Sequence, residues 1–227
     1  MKEHMRRRAQ RQRVRMPGLF SRLLGAVCGR TQRLITAGPS LPLVLATYPR
    51  QNSWLAAELS NSLRFTFPAL TNEVKQGYRD ALSRAPSVIV AELRLANVCS
   101  CLGHHHPEVN HSQLTKSLQA DTGGAIGEID LAVGSIREWN PLPLAGLAAA
   151  CNGSLRDSFE EVRFRAALLA VCLHELEHVA DPERPEEDIR RRSNRFFVDA
   201  VGELLGVQFG LASDKSQHLF VEQPQFA

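Results

Sequence analysis

Residues Val162 to Phe197, VRFRAALLAVCLHELEHVADPERPEEDIRRRSNRFF, decide the fold. From Ala166 to Leu173 the chain is apolar all round, so a helix there must be buried on most faces, and polar side chains at its end need an internal purpose. Ser158-Phe159-Glu160-Glu161 fits a capping box and predicts a helix start near Ser158, while Pro182 predicts its stop. A second helix is expected to open at Pro185, with Glu186, Glu187 and Asp188 favouring its positive end, and to close before Gly206. At the end of the first helix stands His174-Glu175-Leu176-Glu177-His178, an HExxH motif. Residues four apart on a helix share a face, so the two imidazoles can reach one divalent ion, with Glu175 rotated to address a water on it. This spacing points to metal-assisted hydrolysis: the metal acidifies its water and polarises a carbonyl, and Glu175 is the general base. Two capping histidines at a solvated helix end would also suit the helix dipole, but a solvated end does not normally follow such an apolar run.

From about Val171 to Leu205 the chain resembles the zincin-type metallopeptidases, and in particular the small gluzincins of the ImmA/IrrE kind. Ser193-Asn194-Arg195-Phe196 looks like that family's Ala-Asp/Asn-x-Phe. The resemblance implies an α+β zincin-like fold, with a small mixed sheet packed on the HExxH helix and a second helix. It also implies a zinc ion, a peptide or protein substrate aligned along a sheet edge, and a third metal ligand on the second helix. The strand AIGEIDLAVGSI, Ala125 to Ile136, would be that edge. Two positions depart from the family pattern. The fourth position of the motif, usually uncharged, is Glu177, and the family's glutamate ligand, four residues before the Asn, falls on Arg190.

Two carboxylates compete for the role of third ligand. Ile189, Ser193, Phe196, Ala200 and Leu204 define the apolar stripe of the second helix, and Glu186 falls on it, one turn before Arg190. In a short helix hairpin Glu186 would sit beside His178 near the linker. Asp199 is the rival; its longer separation from His178 resembles that of other gluzincins, although it lies off the apolar face. Asn194 and Asp199 also resemble the ends of the thermolysin-like Asn-Glu-x-x-x-Asp signature. The metal set is thus read as His174, His178 and Glu186, with Asp199 kept open. Should neither carboxylate bind, the chain would be a non-catalytic relative that keeps the fold.

Outward from this core, the 227 residues are 44% apolar and 22% charged, which excludes a wholly disordered, collagen-like or disulfide-scaffold protein. No run of eighteen apolar residues offers a membrane span. The net charge of +3 hides an asymmetry: between Met1 and Ile35 there are ten Lys or Arg residues against one acid, Glu3. Residues 1–39 therefore read as a basic extension, disordered or targeting, able to touch a membrane surface or nucleic acid. A basic-arm protein whose main role is such binding is a further alternative. Residues 40–211 read as the domain and 212–227 as a tail. Five cysteines without disulfide-like spacing suit a reducing, intracellular setting, cytoplasmic or organellar.

Within the domain, Leu41–Tyr48 and Ser87–Leu95 read as strands and Asn52–Leu63 and Asn72–Ser83 as helices, a β-α-α-β order. A polar loop is expected from Asn97 to about Gln113, carrying Cys99, Cys101, His104, His105, His106 and His111. These residues are potential zinc ligands in a spacing that matches no finger or ribbon, so a polar loop competes with a structural metal site. One of the histidines could also hang over the cleft as an oxyanion donor.

Overall fold

Strands that run parallel need cover on both faces, and the two central segments of this chain supply the apolar side chains for it. β3 (Val88–Arg94) is buried at its five inner positions, and β5 (Ile126–Ala132) is buried throughout. The structure is a computed structural model and describes residues 35–36, 43–47, 53–97, 99, 101–139 and 154–206. Its sheet also contains β1 (Ile35–Thr36), β2 (Leu43–Thr47) and β4 (Gly103–His106), in the order β1-β2-β3-β5-β4. β2, β3 and β5 are parallel; β1 pairs antiparallel with β2, and β4 antiparallel with β5. Ile35 and Thr36, inside the segment read as a basic extension, thus pair with Leu45 and Val44. Residues 1–34 and 207–227, with the other readings made on them, lie outside the described residues. The protein is mixed α+β, and no described helix is long and apolar enough to cross a membrane.

The helices are α1, which runs Ser53–Asn61 and continues through a π-helical turn (Ser62–Thr66) to Phe67–Ala69, then α2 (Gln76–Arg84), α3 (Gln113–Thr122), α4 (Val133–Glu138), α5 (Ser154–Ala180) and α6 (Glu186–Leu205). Strand alternation sorts them between the two faces of the sheet. Ile89, Ala91, Leu93, Ile129 and Leu131 point to one side, into the main core with Leu55, Leu59, Tyr78, Leu169, Leu173 and Phe197 from α1, α2, α5 and α6. The Tyr78 hydroxyl donates to the Leu169 carbonyl, tying α2 to α5 inside this core. Val90 and Ile126 point to the other side and pack on Leu114 and Leu118 of α3. On that second face, β3 and β5 also bury three carboxylates, Glu92, Glu128 and Asp130.

Three readings of the sequence need correction. The expected strand to Ile136 ends at Ala132, and Val133–Glu138 is helix. There the chain packs Gly134 against the Leu95 carbonyl, where a Cβ would come within 2.5 Å of the oxygen, and Ser135 N–H donates to the same carbonyl at 2.9 Å. The expected loop from Asn97 to Gln113 contains β4, which, and not AIGEIDLAVGSI, is the sheet edge beside the HExxH helix. Helix α5 starts at Ser154, a turn earlier than the capping box predicts, and Glu161 instead pairs with Arg165 at 2.6 Å and Arg137 at 3.7 Å. The second helix runs as expected, Pro185 preceding it and Gly206 closing it at φ 66°, where a residue without Cβ avoids strain.

Candidate metal centre

His174 and His178 lie on the last two turns of α5, one helical turn apart, with ring centroids 5.0 Å from each other. The chain then turns through Asp181 to Pro185 and enters α6, whose first residue is Glu186. The Glu186 carboxylate meets both rings, at 3.4 Å from His174 Nε2 and 2.9 Å from His178 Nε2. The donor atoms of the three residues all lie within 4.8 Å of one another. Ligand atoms on a tetrahedral zinc at about 2.0 to 2.1 Å stand about 3.3 Å apart, so this donor set has the spacing and the chemistry, two nitrogens and one oxygen, that such an ion takes. Asp199, the rival, sits thirteen residues further along α6, about 20 Å by helical rise. It pairs there with Arg195 at 3.4 Å.

The tautomer of His174 follows from its neighbours. Ser193 Oγ donates to the Ile189 carbonyl at 3.0 Å, with the Arg190 carbonyl at 3.1 Å, so its one hydrogen is spent on the α6 backbone. His174 Nδ1, 3.3 Å away, must then donate to Ser193 Oγ, which leaves Nε2, the nitrogen beside Glu186, as the atom that would ligate a metal. Ser193→Ala is expected to weaken metal binding about 10- to 100-fold while leaving the fold intact, as loss of an outer-shell partner does. Competition against a chelator of known affinity measures this, and an unchanged affinity would remove Ser193 from the site.

Glu175 is buried between α5 and the sheet edge. A Cβ on Gly103 would come within 2.7 Å of Glu175 Oε1 and 3.0 Å of Val171 Cγ1, so only glycine lets β4 pass this close to the motif. Burial pushes the Glu175 carboxyl well above the usual carboxylate range, and the negative charges of Asp130 and Glu186 add to it. Glu186 moves the other way, down to about 2, first through the hydrogen bond with His174. His178 is held below the ordinary imidazole value by burial and by His174, so it favours the neutral form that ligates metals.

Reasoning from sequence left two features of the site open. The first is which of the loop histidines approaches the motif, and it is His105. By alternation Gly103 and His105 face α5 while His104 and His106 face the far side, and His105 stacks on His178 at 4.9 Å and 14°. Burial and the neighbouring His178 keep its ring below the ordinary value. The second is the purpose of Glu177. It is fully buried and takes Arg84 of α2 at 3.0 Å, Arg184 of the turn at 2.7 Å and Arg192 of α6 at 2.9 Å. The charge that departs from the family pattern thus clamps the turn that delivers Glu186. Arg190, where the family's ligand would stand, pairs with Glu186 at 2.9 Å.

No protein-family model, no curated protein and no solved structure matches this chain.

Proposed function

We propose that this chain is a zinc-dependent peptidase with a zincin-like fold, in which His174, His178 and Glu186 hold the metal and Glu175 is the general base. One observation carries the reading: the two motif imidazoles and a carboxylate from the next helix converge within hydrogen-bonding distance, beside a buried glutamate. Zinc held there would supply an acidified water and an electrophile for the scissile carbonyl. Glu175 would take the proton from that water and return it to the leaving amine, as general base and then general acid. His105, on the face of β4 that meets the motif, offers a ring N–H for the oxyanion that develops opposite the metal. β4 is the sheet edge, so an extended peptide could add to it as a further strand, with its backbone held past Glu175.

Arg190 is the feature that favours a non-catalytic relative, because it competes for the Glu186 carboxylate. Zinc affinity and hydrolysis of a peptide library, measured together, separate the readings. Glu186→Ala is expected to weaken zinc binding about 100-fold or more, at or beyond the upper end of what an outer-shell partner contributes. Asp199→Ala should leave it within about threefold, since its partner is a surface arginine. The reverse result would transfer the ligand role to Asp199. Tight zinc binding without hydrolysis of any peptide would replace the peptidase with a metal-binding regulatory role.

A further inference from the structure

The far side of β4 carries a second group of ligand-type side chains that the proposed hydrolysis does not use. Cys99 Sγ and Cys101 Sγ lie 3.0 and 2.8 Å from His104 Nε2, and the donor atoms of the three residues fall within 4.8 Å of one another. The other nitrogen of His104, Nδ1, lies 3.1 Å from Asp130 Oδ1. Asp130 is buried on β5, directly opposite His104 in the ladder. Asp130 also meets His106 Nε2 at 3.2 Å and Arg94 at 4.0 Å, so the carboxylate is surrounded by donors and serves as the acceptor. His104 Nδ1 therefore carries the proton, and the Nε2 lone pair is aimed at the two sulfurs. A carboxylate fixing a histidine whose far nitrogen meets two cysteine sulfurs is the outer-shell arrangement of a metal site. Asn97 holds the loop in place, its amide donating to the Cys101 carbonyl and to Asp130 Oδ1, each at 3.2 Å.

The structure joins Cys99 and Cys101 in a disulfide, where the sequence predicts free thiols. We propose that this is one of two states of a second metal site, and that in the other the Cys99 and Cys101 thiolates and His104 Nε2 bind a thiophilic divalent cation of the zinc class. Reduction by a dithiol adds two electrons and two protons to the Cys99–Cys101 bond, giving two thiols, and the reductant leaves as its own disulfide. The cation then displaces both thiol protons. Sulfurs on a tetrahedral zinc stand about 3.8 Å apart, with nitrogen about 3.5 Å from each, so once the disulfide opens each nitrogen–sulfur distance grows by under an ångström while the two sulfurs move further apart. Three protein ligands leave a fourth position for water. The site is separate from the HExxH centre, because alternation along β4 puts His104 and His105 on opposite faces.

Cobalt(II) tests this through the thiolate-to-metal charge-transfer absorption that nitrogen and oxygen ligands do not give. The full chain carrying His174→Ala and His178→Ala, reduced and then titrated with cobalt, should show that band at about one equivalent. The same protein oxidised at its thiols should not show it. Cys99→Ser with Cys101→Ser should abolish the band although Cys28, Cys151 and Cys172 remain, and Asp130→Asn should weaken binding about 10- to 100-fold. Absence of the band in the reduced protein with native circular dichroism would overturn the proposal, as would a band that survives the double serine variant. The same two titrations on the unsubstituted chain are decisive even if a substituted chain does not fold, because the nitrogen and oxygen donors of the HExxH centre give no such band.

Discussion

Glu175→Gln should leave the fold and the zinc content unchanged and lower kcat by about 10²- to 10⁴-fold, the range a positioned general base supplies. The amide matches the carboxylate in shape, so the close passage of β4 at Gly103 is kept. It cannot accept a proton, so in the proposed hydrolysis the attacking water would have no base. Glu175 is almost wholly buried, and among the described residues it has no ion-pair partner, so replacing it with a neutral group also removes the cost of a buried ionisable group. The variant should accordingly be as stable as the parent or more so, with a thermal midpoint equal or higher. Activity lost together with stability or zinc would mean that Glu175 holds the structure. Activity retained at the parent level would remove it from the chemistry.

The parts of this site that could be read in the sequence are those whose signal is local. The imidazole pair needs only the i, i+4 spacing of one helix. Glu186 needs only the apolar stripe of the next helix and the short turn fixed by Pro182 and Pro185. The α+β class follows from the apolar runs that became β3 and β5. β4 was not legible for the opposite reason. Gly103-His104-His105-His106 has no apolar alternation, and its strand identity comes from ladder partners more than twenty residues away, His104 against Asp130 and His106 against Glu128. The overlooked α3 is a different case, because its signals were local: Ser112 as cap, accepting from Thr115 N–H at 3.3 Å, Leu114 and Leu118 one turn apart, and Gly123 closing at φ 65°. The end of β5 at Ala132 was hidden, because Ala-Val-Gly-Ser-Ile continues a plausible strand pattern and only the Gly134 contact with Leu95 turns the chain into helix.

The polar half of the sheet explains how one short edge strand can serve two clusters. Paired with β5 along its whole length, β4 has its register set by residues on both faces. On the far face His104 and His106 meet Asp130 at 3.1 and 3.2 Å, and the hydrogen bond with Asp130 raises His106 above the ordinary imidazole value. On the near face Gly103 lies against Glu175 and His105 against His178. A one-residue slip would carry His104 to the motif and His105 to Asp130, and would push a histidine side chain into the space that Glu175 fills. The pairing that places the histidines on the far face is therefore the same pairing that shapes the candidate centre.

Glu177→Ala is expected to cost about 2 to 4 kcal/mol of stability, somewhat below the cost of orphaning a fully buried ion because the three arginines left behind keep partial contact with water. Urea unfolding with an unchanged slope would measure it. The loss should not be confined to stability. Arg84, Arg184 and Arg192 come from α2, the turn and α6, and Glu177 is their common partner, so its removal frees the turn that carries Glu186 to His174 and His178. Zinc affinity should fall with it, although Glu177 itself is not among the converging ligand atoms. Glu177→Gln separates the two effects: the amide keeps the volume and can still accept hydrogen bonds from the arginines, so zinc affinity should recover further than stability does. If Glu177→Ala loses stability yet binds zinc as the parent does, then Pro182 and Pro185 suffice to set the turn, and the arginine clamp serves the fold alone.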